Sequence, residues 1–570
     1  MPIYLDQPKK KSFNGIRWLL TTVGLISLLY ITNSIYRLYD NASFHSYDKS
    51  SKLPPNPFKD KARLKPTNSK AFDILNDFKY REKSLKFLQD AIKIPTEVFD
   101  DSIHPNKDLK DWSKFLEFHK YLEKSFPLVF SKLQVTKINK LGLIIEYPGL
   151  KPDLKPLVLT AHQDVVPVDI DSLDRWSYPP FDAVFDGEYL WGRGSGDTKS
   201  LLIGLFETFE LLLQDDFQPN RTIIISAGYD EESIGRYDGA VSLSAWLEEK
   251  YGEAYALVDE GGAVSQVKGV ENHYFAQPGI VEKGYIDVYF ELFVEGGHSS
   301  IPFDHSAIGI TSDLVRYIEN DPYNATLTAD NPILYYFRSL AEIEQFDIDD
   351  ELRHQFLHAQ YDDEARDGLL SYLTSSRTTE YTVKTSQAID IIHAGVKINA
   401  IPEYLKLGIN HRIALGSTVD DILNNLISKT REISEKFNLD LYLQNNSIII
   451  ENDNSQGSFN ISWNQPINPS PISNTLGDKT WEIFASSIKS TFEENILPKN
   501  STLDVVPNLV VAYTDSSRYY GLTNNIYRFS GHISPFFNSH AINEHIKFDG
   551  HIETIAYLYD YIQTVQEFDS

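Results

Sequence analysis

The sequence contains no cysteine. That excludes disulfides, thiolate metal ligands and a cysteine nucleophile, so any metal must be held by His, Asp or Glu. Positive charge is also short, with 53 Lys and Arg against 80 Asp and Glu and a formal net charge of −27. No basic face could easily outweigh that balance, and no nucleic-acid partner is expected. At 570 residues the chain is too long for one ordinary core, which predicts two domains, or one domain carrying an insertion, plus a tail.

One uncharged run stands apart. Trp18 to Tyr36 has about the length that crosses a bilayer, and Lys9, Lys10, Lys11 and Arg17 precede it. Positive residues on that side predict a cytosolic N-terminus and a single-pass type II signal-anchor. A cleaved signal peptide would need a small-residue site, which Ser34-Ile35-Tyr36-Arg37 does not offer. The expected divisions are a cytosolic tail over 1–17, the membrane span over 18–36 and a lumenal stalk over 37–70. Pro54, Pro55, Pro57 and Pro66 suit an extended, mobile stalk. Asn-x-Ser/Thr triplets at Asn41, Asn220, Asn324, Asn445, Asn460 and Asn500 fit an N-glycosylated lumenal body.

Folded sequence is expected from Ala71, where Leu75, Phe78, Leu85, Leu88 and Ile92 recur at helical spacing until Pro95. A second amphipathic helix carries Leu109, Trp112, Leu116, Phe118 and Leu122. From Leu133 to Asp259 strands alternate with helices, which predicts an α/β fold with a mostly parallel sheet. From Tyr285 the pattern changes to an alternating strand, a turn at Gly296 to Ser300, a helix near Ala307, strand-like runs over Ala388 to Ile413 and a helix over Val419 to Phe437. This predicts a smaller α+β domain of βαβ type, inserted as a lid or dimerisation domain over 285–455, with 320–386 as an added segment. The catalytic domain would comprise 71–284 and 456–570.

Candidate chemistry collects where strands end. Leu157 to Ala161 runs into His162-Gln163-Asp164, and residues two apart on a strand face the same way. His162 could therefore bind a metal while Asp164 accepts a hydrogen bond from its other ring nitrogen. Further carboxylates follow later strands at Asp230-Glu231-Glu232 and at Asp259. In parallel sheets ligands gather beyond such carboxyl ends, so distant segments would converge on one rim. Gly192-Arg193-Gly194-Ser195-Gly196 is not a phosphate loop, because Asp197 stands where Lys should follow. Nor is it a serine-hydrolase elbow, since Arg193 occupies its first glycine position. The plain reading is a tight turn that delivers the Asp197 carboxylate to the rim.

In order, His162-x-Asp164, Gly194-x-Gly196-Asp197-x-Lys199, Asp230-Glu231-Glu232-x-x-Gly235, Asp259, Gly297-His298-Ser299, Asn399 before Ile401-Pro402, Arg412 and His540-x-x-Asn543-Glu544 resemble the dinuclear zinc metallopeptidases. That family includes bacterial glutamate carboxypeptidase, aminoacylase and fungal vacuolar carboxypeptidase S. The resemblance covers Ala71 to the C-terminus, and the anchor and inserted segment make it most similar to the vacuolar carboxypeptidases. It implies two Zn²⁺ per subunit: His162 and Asp259 on one, Glu232 and His540 on the other, with Asp197 bridging. Asp164 would orient His162 and Glu231 would be the general base. His298 would stabilise the oxyanion, and Asn399 and Arg412 would bind the free carboxylate of a short peptide substrate. The implied reaction is vacuolar carboxypeptidase cleavage, with hydrolysis of N-acyl amino acids as the alternative on the same site. An inactive, membrane-tethered binding protein would lack a ligand or base, and every such position is filled. The resemblance also implies a possible homodimer through the smaller domain, which in relatives can lend its histidine to a neighbouring subunit.

Overall fold

Leu157–His162 and Ile223–Gly228 are rich in branched apolar residues and buried at every position, as strands covered on both faces should be. In the computed structural model, which describes residues 53–59, 61–233, 238–464, 466–533 and 537–569, they lie inside an eight-stranded sheet. Its order is Gln134–Ile138, Gly142–Tyr147, Ile223–Gly228, Leu157–His162, Ala256–Gly262, Ile526–Phe529, Gly279–Glu282 and Asn508–Val510. Alternate residues feed two cores. Leu157, Leu159, Ile223 and Ile225 pack with residues of the helices Lys199–Gln214, Lys479–Thr491 and Phe548–Phe568. Val158, Ile224 and Leu257 pack with Ala240, Leu243 and Leu247 of Asp238–Tyr251 on the other face. The result is a three-layer α/β arrangement.

The sheet is mixed, not mostly parallel. Four central strands, from Ile223–Gly228 to Ile526–Phe529, run parallel. Gln134–Ile138 and Gly142–Tyr147, however, form a hairpin turned by Asn139 and Lys140, both at positive φ. A loop that short permits only antiparallel pairing, and the second of these strands also meets Ile223–Gly228 antiparallel. The first amphipathic run is two helices, Ala71–Asn76 and Phe78–Ile92, because Asp77 leaves helical geometry and caps the second through the amides of Lys79 and Tyr80.

A second sheet of six strands has the order Ser386–Ala394, Tyr404–Ile413, Gly284–Val294, Gly457–Trp463, Asp440–Leu443 and Ile448–Ile450. The helices Ala307–Asn320 and Val419–Phe437 cover one face of it. Gly457–Trp463 pairs along Gly284–Val294, so this sheet runs past residue 455. The added segment 320–386 folds as helices whose core includes Leu334, Phe337, Phe356 and Leu369 together with Phe275 and Val506.

The ordered body also starts earlier than Ala71, within the expected stalk. Phe58 is fully buried, edge-on to Tyr335 and Trp481, and Arg63 and Ser69 contact Glu493 and Asp560. An aromatic residue can bury itself here because the added segment and the Trp481 helix supply both walls. Among the described residues no helix is long and apolar enough to cross a membrane. The Trp18 to Tyr36 run and the sequon at Asn41 lie outside the described residues.

One inward position of Tyr404–Ile413 is His411, fully buried in the row Leu405, Leu407, Ile409 and Ile413. Burial lowers its pKa from 6.5 to about 4. The unfolded chain therefore takes up this proton first, so stability present above the ordinary value is lost as pH falls toward the folded one. Between about pH 7.5 and about pH 5 the loss should be about 2 kcal/mol smaller in His411→Leu than in the parent by urea unfolding, and equal losses would contradict it.

Candidate metal centre

Three neighbouring parallel strands end on one rim. His162 is the last residue of its strand, Glu231 and Glu232 follow Ile223–Gly228, and Glu260 lies near the end of Ala256–Gly262. The fourth contribution comes from the glycine turn. A Glu544 oxygen accepts the backbone amides of Gly194, Gly196 and Asp197 at 3.0, 3.0 and 3.2 Å, and the other takes Arg193 Nη1 at 2.6 Å. Gly194 is at φ +84, which favours glycine. The turn thus binds an anion, but the anion is the protein's own Glu544, and its work is to hold Asp197 at the rim.

Asp197 stands between two histidines. Its Oδ1 is 3.1 Å from His162 Nε2 and its Oδ2 is 3.2 Å from His540 Nε2. Glu232 Oε2 lies 3.0 Å from the same His540 nitrogen, and Glu260 Oε1 lies 3.4 Å from His162 Nε2. His162 Nδ1 is fixed from behind by the Asp164 carbonyl at 3.0 Å, with the Asp164 carboxylate at 3.4 Å. That carboxylate also accepts the Glu232 amide at 2.9 Å, so Asp164 holds both a ring and an acid. His162, Asp197 and Glu232 bring potential ligand atoms within 4.8 Å of one another.

The charges explain what belongs here. Burial alone would raise Asp197, yet hydrogen bonds from His162 and His540 hold it well below the carboxylate range. Hydrogen bonds to Asp197 and Glu232 lift His540 to about 10. Burial and then Asp197 push Glu232 up to about 7. Burial also raises Glu231 well above its ordinary value; His162 opposes that, while Glu232, Glu260 and Asp515 add to it. Two imidazoles thus face a larger set of buried acids, and Glu232 Oε1 is buried without a hydrogen-bond partner. Oxygen and imidazole donors in that excess suit divalent cations.

Asp259, expected as a ligand, is held by backbone donors next to Glu260. Its oxygens accept the amides of Glu260 at 2.9 Å and Ser516 at 3.1 Å, and it forms no ion pair with either ring. The strand's register against Ile526–Phe529 slips between Asp259 and Gly262, and this irregularity turns Glu260 to the rim. The signal was present as the adjacent pair Asp259-Glu260, but nothing in the spacing showed the slip. Asp515, fully buried behind the site, was not anticipated either.

A cavity of about 500 Å³ opens on this centre, lined by Asp197, Glu231, Glu232, Glu260 and His540 and, from the six-stranded sheet, by Arg412. The Arg412 guanidinium lies over the Tyr285 ring at 4.7 Å. His298 and Asn399 do not line it. They sit at the short exposed ladder of Gly297–His298 with Ala400–Ile401, where the Asn399 carbonyl accepts the Ser299 amide.

The family model described as peptidase family M20/M25/M40 matches residues 158–564. Carboxypeptidase S of Saccharomyces cerevisiae is 38% identical over 502 residues, covering 87% of this chain and 86% of that protein. The N-fatty-acyl-amino acid synthase/hydrolase PM20D1 of Mus musculus is 28% identical, covering 84% and 87%. The crystal structure of human carnosine dipeptidase 1 has a TM-score of 0.59 at 14% identity, covering 87% of this chain and 98% of that one, a likeness of fold.

Because Glu544 and Arg193 are a buried pair, removing one strands the other. Glu544→Ala should destabilise by about 3–5 kcal/mol in denaturant unfolding, and the double variant Arg193→Met with Glu544→Met by clearly less than the sum of the single changes. Additive losses would show that the two side chains do not act as a unit.

Proposed function

Because the chain belongs to peptidase family M20/M25/M40, we propose that it is a zinc-dependent carboxypeptidase that releases the C-terminal residue of short peptides. The observation that carries this reading is the two-sided use of Asp197, one oxygen toward His162 and the other toward His540, with Arg412 in the same cavity. The donor set fits two metal ions. His162 and Glu260 would hold one, His540 and Glu232 the other, and Asp197 would join them; zinc suits nitrogen and oxygen donors without sulfur. When bound, such a pair lowers the pKa of a water and polarises a carbonyl.

The chain's own residues supply the rest. Glu231, in the cavity and buried enough to be raised well above the ordinary range, is suited to take a proton from the attacking water and return it to the leaving amine. Asp164 keeps His162 in one tautomer by accepting at Nδ1, leaving Nε2 toward the rim. Arg412 offers a planar fork to the free carboxylate and forms no ion pair among the described residues. Hydrolysis of an N-acyl amino acid is the second reading, supported by the relation to PM20D1, since that substrate also sets an amide beside a carboxylate.

His298 and Asn399 are exposed beside Ile301, Val396 and Ile398, which are 81, 103 and 98% exposed. We infer that this apolar face meets a second copy of the chain and that His298 reaches that copy's substrate. A protein that sediments as a monomer at micromolar concentration would exclude the arrangement. We further propose a vacuolar body tethered by Trp18 to Tyr36, on the length and flanking charge of that run, with glycans at exposed Asn324, Asn445 and Asn500.

The reaction is tested on one set of proteins. The parent should bind about two zinc ions and cleave an N-blocked dipeptide, losing both on chelation. Glu231→Gln should keep the metal and lose about 10²–10⁴ of kcat, whereas Glu260→Ala should lose metal. Full turnover in metal-replete Glu231→Gln, or full metal content in Glu260→Ala, would overturn the respective role.

A further inference from the structure

The wall of the cavity contributed by the six-stranded sheet carries a second charge. In the ladder between Ser386–Ala394 and Tyr404–Ile413, Ser386 faces Arg412 and Ala388 faces Asn410. Asp390, two residues on from Ala388, is the unpaired residue where the register slips between Ile389 and Ile391. Such an irregularity bends an edge strand and re-aims its side chains. Asp390 lines the cavity together with Asn410 and Arg412.

Asp390 is exposed and forms no ion pair among the described residues, nor does Arg412. The reason they do not neutralise each other is distance. Asp390 lies beside Ile409 and Gly408, three to four residues along the strand from Arg412, or roughly 10–13 Å. Between them Asn410 is engaged, donating to Asp287 at 2.8 Å, and Asp287 also takes the Tyr285 hydroxyl at 2.6 Å. The wall therefore presents a guanidinium and a carboxylate at opposite ends of a strip whose polar groups are already satisfied.

We propose that Asp390 is a specificity-determining residue that selects substrates whose C-terminal residue carries a basic side chain. With the substrate carboxylate on Arg412, a lysine or arginine side chain running along the strip ends at the Asp390 carboxylate. A neutral side chain of equal length leaves that carboxylate in water, where nothing is gained. The inference rests on the carboxypeptidase reading, because it takes Arg412 as the carboxylate anchor.

The test compares N-blocked dipeptides ending in lysine and in norleucine, which differ in the charged tip, on the full-length, zinc-loaded enzyme. The ratio of kcat/KM for lysine over norleucine should fall about tenfold in Asp390→Ala, and further in Asp390→Lys, with the effect shrinking at high salt. An unchanged ratio in both variants overturns the proposal. If the parent cleaves neither peptide, the carboxypeptidase reading has failed and the pocket is judged by calorimetric binding of free lysine and norleucine. Weakening of lysine alone in Asp390→Ala then supports the recognition site, and equal effects on the two amino acids refute it.

Discussion

The constraint on which the structure depends is electrostatic. Asp164, Asp197, Glu231, Glu232, Asp259, Glu260 and Asp515 crowd one end of a sheet, mostly buried, with His162 and His540 as the nearby imidazoles. Such a concentration of acids is stable only if each oxygen is committed to a donor or to a metal. Part of these commitments is visible, while Glu232 Oε1 and both Asp515 oxygens are buried without a hydrogen-bond partner. Asp164 takes the Glu232 amide and Asp259 those of Glu260 and Ser516, so these two acids brace the frame and leave the rim to the others. Bracing and facing the cavity are separated between neighbours in sequence, Asp259 from Glu260 and Asp230 from Glu231. Asp230 caps the helix that follows by accepting the amides of Asp238 and Gly239.

The same logic joins the ends of the chain. Glu544 comes from the last part of the sequence and occupies the turn at Gly194 to Asp197, about as far away along the chain as two site segments can be. His540 lies four residues before it. A single carboxylate therefore ties the segment carrying His540 to the turn carrying Asp197, and the two face each other at 3.2 Å. Glu544 acts on chemistry only through this positioning.

Much of this was legible because it follows local rules. Strand ends are marked by apolar runs, and a His or acid just past one is visible without a structure, which is why His162, Glu231, Glu232 and the Asp197 turn were all anticipated. The exceptions have physical reasons. Glu260 reaches the rim beside Asp259 where the register slips against Ile526–Phe529, and such slips are set by the partner strand. The mixed sheet was missed because hairpin pairing depends on a two-residue turn at Asn139-Lys140 that carries no glycine. Phe58 looked like part of a stalk because its walls, Tyr335 and Trp481, come from segments hundreds of residues away. His298 and Asn399, expected at the oxyanion and the substrate carboxylate, lie instead on an exposed ladder outside the cavity, and their motifs carry no sign of that placement.

In the proposed function the two sheets divide the labour of recognition. The eight-stranded sheet presents the acids and histidines to an amide, and nothing there distinguishes a peptide from an acyl amino acid, since both offer the same carbonyl and nitrogen. Discrimination must come from groups that meet the rest of the substrate, and to these the other sheet contributes Arg412, Asn410, Tyr285 and Asp390. Tyr285 and Asn410 are both bonded to Asp287, so the floor beneath Arg412 is rigid and electrically satisfied. The edge strand, paired on one side only, is where a side chain can change without disturbing a neighbour, and Asp390 sits there. A substrate preference placed on an edge strand can drift while the metal centre stays as it is. One chemistry can thereby serve different amides across a family.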